Sequence, residues 1–490
     1  TQGDGTWYIS GLGNTPQYGE KIDGGHGGSC VISIINPNAF IFSSSTGTIQ
    51  RSDDEGQNAS MNFSAPSTTL FITPIAFWED FKSENSRDSI TFKARQDYKA
   101  GDVILCRSKN PGFGLDAGYP FDYVLETDLA EGDSILVKDI IQSKLFVANQ
   151  NTVYLTKDGV KFGKESEWWQ IASLVTANGQ PTAIAYSKDA NYLFIGTKAG
   201  FIYRISNIAH AYDYERADIR SPYCIISTDV IQIPEFENRF ITSISVDPNN
   251  SNNIIVTLGN YGNEGYVYRS TNALASPWTG ITFVDITGNM PKMPVYSSLI
   301  EMKDSNKAII GTEYGIYTTD EIDQADVTWT AENQGIGLIP VFQIKQQKIY
   351  KDEYVVPSED PSQPPLVYPR VDNYGSIYIA TFGRGTYRAD RFMVGIDDII
   401  PTSNKNIETL NIYPNPVDRN TTLSFNLNRN SNIQISIYNL SGLLVNTLNA
   451  GTYYAGFNSV TLDCSRLTSG AYLIKIDAEN EIMTAKMIVR

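Results

Sequence analysis

Through the first 392 residues, apolar runs of four to six residues alternate with polar turns, and spacing that would put apolar residues on one helical face is absent. The recurring pattern is a short apolar strand, a turn containing glycine, and a second strand that often carries tyrosine. Six copies are readable: IFSSSTGTIQRS from Ile41, LFVANQNTVYLTKDG from Leu145, LFIGTKAGFIYRIS from Leu193, IIVTLGNYGNEGYVYRST from Ile254, AIIGTEYGIYTTD from Ala308 and IYIATFGRGTYRAD from Ile377. Most follow an earlier strand (CVISIINPNA, PTAIAYSKDAN, ITSISVDPNNSN, SSLIEMKDSNK) that ends in an Asp, Asn or Pro turn. From Leu145 on, the copies start about 50 to 70 residues apart, the length of one four-stranded propeller blade with its loops. A single blade cannot bury both of its faces, so such units are expected to close into a ring.

Two segments depart from the repeat. Between a first strand expected over Phe71–Trp78 and the strand at Leu145, an insertion at about 83–143 holds two similar halves, SITFKARQDYKAGDVILCRS and PFDYVLETDLAEGDSILVKD. Their Gly101-Asp102 and Gly132-Asp133 pairs predict hairpin turns in a small projecting β subdomain. After residue 392 a linker over 393–407 leads to about 80 residues of short alternating strands, the pattern of an Ig-like sandwich over 408–490. The fold class is therefore all-β: a propeller of six to seven or more blades over 1–392, then a sandwich.

Composition removes several chemistries. The chain of 490 residues has 54 Asp plus Glu against 38 Lys plus Arg, a net charge of −16, which argues against nucleic acid as a partner. Only His26 and His210 are present, so a His-rich zinc site or a Ser-His-Asp triad is not expected, and no metal, cofactor or catalytic residue is assigned. Cys30, Cys106, Cys224 and Cys464 are widely spaced, leaving room for one or two disulfides without fixing a pairing. No run of about 18 apolar residues exists. No leader sequence is recognised at Thr1, so an exported protein is expected here in mature or trimmed form.

The turn Ser52-Asp53-Asp54-Glu55-Gly56 fits the Asp-box, Ser-x-Asp-x-Gly, and Asp158-Gly159 closes a shortened version. With Ala380-Thr381-Phe382-Gly383-Arg384-Gly385, these turns make the ring resemble the BNR or sialidase-type propellers, sortilin-like and xyloglucanase-type proteins included. In that family the Asp-box is structural: aspartate caps backbone N–H groups and glycine takes a positive φ. Thr1–Trp7 is similar to a mid-blade segment of these propellers, so either earlier blades precede it or the first strand completes the last blade. Gly24-Gly25-His26-Gly27-Gly28 carries histidine where relatives have an acid, and His26 is read as a turn residue.

At the C-terminus the resemblance is to type A sorting domains of the type IX secretion system of Bacteroidota. It rests on Tyr413-Pro414-Asn415-Pro416, Ile437-Tyr438-Asn439 with Gly442, Ser469-Gly470-Ala471-Tyr472, and the basic closing strand with Lys486 and Arg490. The resemblance implies a secreted or cell-surface cargo. Its implied partners are the outer-membrane translocon, a β-barrel shuttle protein and a sortase-like peptidase. The ring is expected to be a structural module or to bind a glycan or a surface protein. A glycoside hydrolase of xyloglucanase or sialidase type is the alternative, and would need two carboxylates across a cleft. Trp168, Trp169, Trp278 and Trp329 could stack on sugars, but the recurrent placement of Trp278 and Trp329 before a blade ends suits packing.

Overall fold

A computed structural model describes the chain apart from residues 1–4, 11–16, 45–46, 59–62, 64, 67–69, 112–117, 211–225, 357, 359–363, 391–406, 428, 440–442 and 479–480. It divides into two compact units, Thr1–Met393 and Val394–Arg490. Most of the linker expected at 393–407, together with Cys224 and Gly442, lies outside the described residues.

Among the described residues, the first unit contains a ring of six antiparallel sheets. Blade 1 comprises Gly27–Ile32, Phe40–Ser44 and Ile49–Ser52; blade 2 comprises Ile75–Asp80, Gln142–Ala148, Thr152–Thr156 and Trp169–Ser173. Blade 3 runs from Pro181–Tyr186 through Leu193–Thr197 and Ile202–Ser206 to Ser227–Ile231, and blade 4 from Ile241–Val246 through Ile254–Leu258 and Val267–Ser270 to Val284–Asp285. Blade 5 holds Val295–Ile300, Ala308–Thr312, Gly315–Thr319 and Thr330–Ala331, and blade 6 holds Val341–Gln346, Ile377–Thr381 and Thr386–Ala389. Second strands such as Leu193–Thr197, Ile254–Leu258 and Ala308–Thr312 are buried at every residue, because both faces are covered by neighbouring blades. The glycines between second and third strands, Gly47, Gly200, Gly315 and Gly385, all have positive φ.

The blades are stitched side to side through their first strands. Tyr186 Oη donates to Phe77 O at 2.9 Å, Thr182 Oγ1 to Ile241 O at 2.6 Å, and Thr242 Oγ1 to Val295 O at 2.5 Å. Ser297 Oγ accepts from Ile344 N at 2.9 Å, and Lys345 Nζ donates to Cys30 O at 3.3 Å, joining blade 6 to blade 1. Between blades 1 and 2 the link is Glu79, which accepts from Ser33 Oγ (2.5 Å), Ile34 N (2.6 Å) and Ile35 N (3.2 Å). The segment Thr6–Tyr8 does not complete the last blade. It pairs with Glu20–Asp23 and packs Tyr8 on Phe40 at 4.8 Å, beside blade 1.

Two expectations need correction, and three of the cysteines can be placed. The first strand of blade 2 is Ile75–Asp80, since Phe71 and Ile72 are half-exposed and precede it. The Gly-Asp turns of the insertion do not join hydrogen-bonded neighbours: Ser89–Lys93 pairs with Ser134–Lys138 and Val103–Pro111 with Gly118–Val124. Cys30, Cys106 and Cys464 are free thiols, so none of them forms a disulfide. The insertion also has a partner the sequence did not reveal, the hairpin Tyr354–Val356 and Leu366–Tyr368 inserted in blade 6. Its Tyr368 ring lies 4.9 Å from Tyr119, and one apolar core includes Tyr368, Val356, Phe121, Ile104 and Ile35 of blade 1.

The second unit is an antiparallel sandwich. One sheet holds Ile407–Tyr413, Asn420–Leu427 and Gly456–Asp463; the other orders Leu444–Tyr453, Ser431–Asn439, Gly470–Ala478 and Glu481–Val489. Burial alternates along Asn420–Leu427 and Gly470–Ala478, and the inward residues Leu423, Phe425, Ile435, Ile474, Ile476 and Met487 form the core.

Candidate functional site

Three of the sequence motifs meet along the last strand. Glu481–Val489 pairs with Gly470–Ala478, so that Gly470 faces Val489 and Tyr472 faces Met487. Its other edge is taken by the segment around Asn415. Prolines 414 and 416 have no N–H to offer, which leaves the Asn415 amide as the bonding group between them. Its Nδ2 donates to Lys486 O at 2.8 Å, and its Oδ1 accepts from Ile488 N at 2.9 Å. Val417 N then donates to Ile488 O at 2.7 Å and Arg490 N to Val417 O at 2.9 Å, as a short parallel bridge. Pro414 is tied down through its carbonyl, which accepts from Thr421 Oγ1 at 2.8 Å. The strand is thus bonded on both sides to the end of the chain, with Lys486, Ile488 and Arg490 exposed and Met487 and Val489 buried.

Tyr472 is buried against the core and donates its hydroxyl to Thr468 O at 2.8 Å, fixing the bend before its strand. Tyr413 pairs with Thr422 through the backbone. Gly470 meets nothing closer than 3.9 Å at a Cβ position, so no contact there demands glycine.

Residues 411–490 match the family model described as the secretion system C-terminal sorting domain. The C-terminal unit is a sorting domain. It marks the chain as a cargo of the type IX secretion system, exported to the cell surface or beyond. No curated protein matches the chain. Among solved structures the chain is similar to PorZ of Porphyromonas gingivalis, described as an essential bacterial surface component of the type-IX secretion system; identity is 12% and TM-score 0.33 over 92% of this chain and 64% of that one. A GH74 enzyme of Niastella koreensis matches at 12% identity and TM-score 0.30 over 94% of this chain and 65% of that one. The chain thus spans less than two thirds of either. Sqt1 of Saccharomyces cerevisiae matches at 10% identity and TM-score 0.35, over 76% and 86% of the two chains. At these scores none of them bears on what the ring binds.

The sorting domain carries a feature the motifs did not announce. Leu444, Tyr438, Leu473 and Lys486 are consecutive cross-strand partners on its four-stranded sheet. Leu444 is 57% exposed and Leu473 43%, where alternation calls for polar residues. The only sign in the sequence is the run Leu443-Leu444-Val445, which breaks the period of two.

In the ring, the Asp-box residues form a closed turn. Ser52 Oγ donates to Asp54 Oδ1 at 2.5 Å and accepts from Gly56 N at 2.9 Å, while Asp54 accepts from Asn58 N and Asn58 Nδ2 at 2.9 and 2.6 Å. Gly56 has φ +89°, and a Cβ there would press on Ile22 at 2.9 Å. Asp158 accepts from Glu167 N at 3.0 Å and pairs with Lys161 and Lys164, each at 3.2 Å. Burial raises its pKa, but Lys161, the Glu167 N–H and Lys164 outweigh burial and hold it below the usual carboxylate range. The turns are joined by Arg51, fully buried, which donates to Asp158 O (2.5 Å), Gly159 O (3.3 Å) and Lys164 O (3.2 Å). Arg51, in the last strand of blade 1, thus ties the blade 2 box to blade 1.

Trp278 and Trp329 are buried, their indole N–H groups bonded to Ala273 O (2.9 Å) and Ile286 O (2.8 Å), so they pack blades. Trp168 donates to Phe63 O at 3.1 Å. His26 sits in a bend with its ring 5.5 Å from Phe71. Among the described residues no group of His, Cys, Asp and Glu is placed to hold a metal ion.

Proposed function

We propose that the last strand and its Asn415 clamp are the surface read by the export machinery, and that the ring is the exported payload, a binding module acting outside the cell. The supporting observation is that Pro414, Asn415, Pro416, Gly470, Tyr472, Lys486 and Arg490 lie on or beside the final strand, while Tyr413 ends the strand that leads into the clamp. An ordered edge with exposed Lys486, Ile488 and Arg490 is a rigid determinant for a receptor, which loses less entropy on docking than a loose tail. In this reading the readers are an outer-membrane translocon, a β-barrel shuttle and a sortase-like peptidase. The peptidase would act in the linker around 393–407 and leave the ring at the outer membrane.

The test is deletion of residues 408–490, with localisation followed by fractionation. The truncated ring should fold and collect in the periplasm, since the two units have separate cores. Normal surface delivery would overturn the assignment. Robust hydrolysis of β-glucan, xyloglucan or sialosides by the purified chain would replace the binding module with a hydrolase.

A further inference from the structure

The first strands of blades 3 to 6 share an irregularity. Pairing with the second strand slips between Pro181 and Ala183, Ile241 and Ser243, Val295 and Ser297, and Val341 and Gln343. A bulge leaves one residue outside the ladder and re-aims its side chain. In blades 3 and 4 that residue is Thr182 or Thr242, and its hydroxyl stitches to the next blade. In blades 5 and 6 it is Tyr296 or Phe342, and the stitch is replaced by an aromatic ring.

These rings form a continuous row. Tyr296 and Phe342 lie edge to face at 5.0 Å, and Phe342 and Phe382 at 5.8 Å. Phe382 and Tyr314 lie in turns between second and third strands of blades 6 and 5, and Tyr261 in the corresponding loop of blade 4. Antiparallel order puts these turns on the same face of the ring as the starts of the first strands. Tyr261, Tyr314 and Phe382 are more than half exposed and Phe342 is 46% exposed. Within the row sits Glu313, which accepts a hydrogen bond from Tyr296 and is also bonded by Tyr261.

We propose that this row on blades 4 to 6 is a binding site for a neutral glycan of flat, equatorially hydroxylated pyranoses, a β-1,4-linked glucan being the simplest case. The proposal rests on the reading of the ring as a binding module. An aromatic face offers an apolar, electron-rich surface to the axial C–H groups of such a sugar. A carboxylate has about four acceptor sites, so Glu313 keeps capacity for sugar hydroxyls after its tyrosine bonds. Its charge disfavours phosphate, sialic acid and other anionic ligands.

The test is calorimetric titration of the full chain with cellohexaose, with maltohexaose in parallel. Saturable binding of either is expected, weakened about tenfold by Phe382→Ala and by Phe342→Ala. Both side chains are exposed, and an unchanged melting temperature verifies that the variants fold. Glu313→Gln, which keeps every ring, should also weaken binding. Absence of binding to both oligosaccharides overturns the proposal, as does capture of a protein ligand by this face in their place. Binding left unchanged by both phenylalanine variants overturns it too, while leaving the ring a binding module that works elsewhere.

Discussion

Asn415 and Ile488 are joined by a hydrogen bond from the Ile488 N–H to the Asn415 side-chain oxygen, on the edge of the last strand that faces away from its sheet neighbour. One side chain, held between two prolines, therefore does for that edge what a further strand would do.

Replacing Asn415 by alanine removes this bond and the one to Lys486 O, and should cost the sandwich about 1 to 2 kcal/mol. Hydrogen exchange on the full chain should show the Ile488 amide losing protection, with blade amides unchanged. Asn415→Asp keeps only the acceptor and should fall between the two.

Glu79 gives a pH dependence. Burial pushes its pKa up to about 7, against the opposing hydrogen bonds from Ile34, Ser33 and Ile35. Between about pH 4.5, the unfolded value, and pH 7, the folded protein keeps a proton that the unfolded chain has lost. Stability contributed by the protonated form is thus complete below about 4.5 and should fall by about 3 kcal/mol as pH rises through 7. Denaturant titrations across pH 4 to 8 should show this decline, and Glu79→Gln should flatten it.

Gly315 and Gly385 separate two costs. Both have positive φ, at +93° and +82°, but a Cβ at 315 would stand 1.9 Å from Asn333 Oδ1, whereas nothing lies within 4 Å of one at 385. Gly385→Ala should cost about 1 kcal/mol and Gly315→Ala about 3, because the latter adds a clash to the backbone strain. Valine at 315 should be worse still. Equal losses at the two sites would show that the Asn333 contact relaxes freely.

Arg51→Leu should destabilise the ring by about 3 kcal/mol, since three inter-blade carbonyl contacts lose their donor. Thermal unfolding of the full chain reads this directly. The neighbouring Asp54→Ala, which breaks only a local turn, should cost less.

The second strands of blades 2 to 5 were legible because both faces are buried, and runs such as LFIGT or AIIGT have few other uses in a chain rich in Gly turns. Outer strands such as Val284–Asp285 and Thr330–Ala331 were not, being two exposed residues held by hydrogen bonds with no apolar signature. The blade 2 boundary was misplaced because Phe71 and Ile72 look like strand and are surface. The hairpin Tyr354–Val356 and Leu366–Tyr368 was missed because strands of three residues carry too little pattern. At the sorting domain the motif residues stood out in the sequence, but the Asn415 clamp is a contact across 73 residues that no local period encodes. The aromatic row was hidden for a related reason, since a bulge takes its residue out of the alternation by which strands are read.

The small subdomain governs the order in which the molecule assembles. Blades 1 and 6 share no strand among the described residues, and their direct stitch, Lys345 to Cys30, joins positions 315 apart in the chain. Closing so long a loop is slow, so the ring should zip up blade by blade and meet itself last. The Tyr119–Tyr368 core, drawing on blades 1, 2 and 6, can form only once that meeting has happened. Contacts made after the rate-limiting step slow unfolding without hastening folding. The subdomain is accordingly a latch that lengthens the lifetime of the closed ring, a useful property for a protein that works beyond the reach of cellular chaperones.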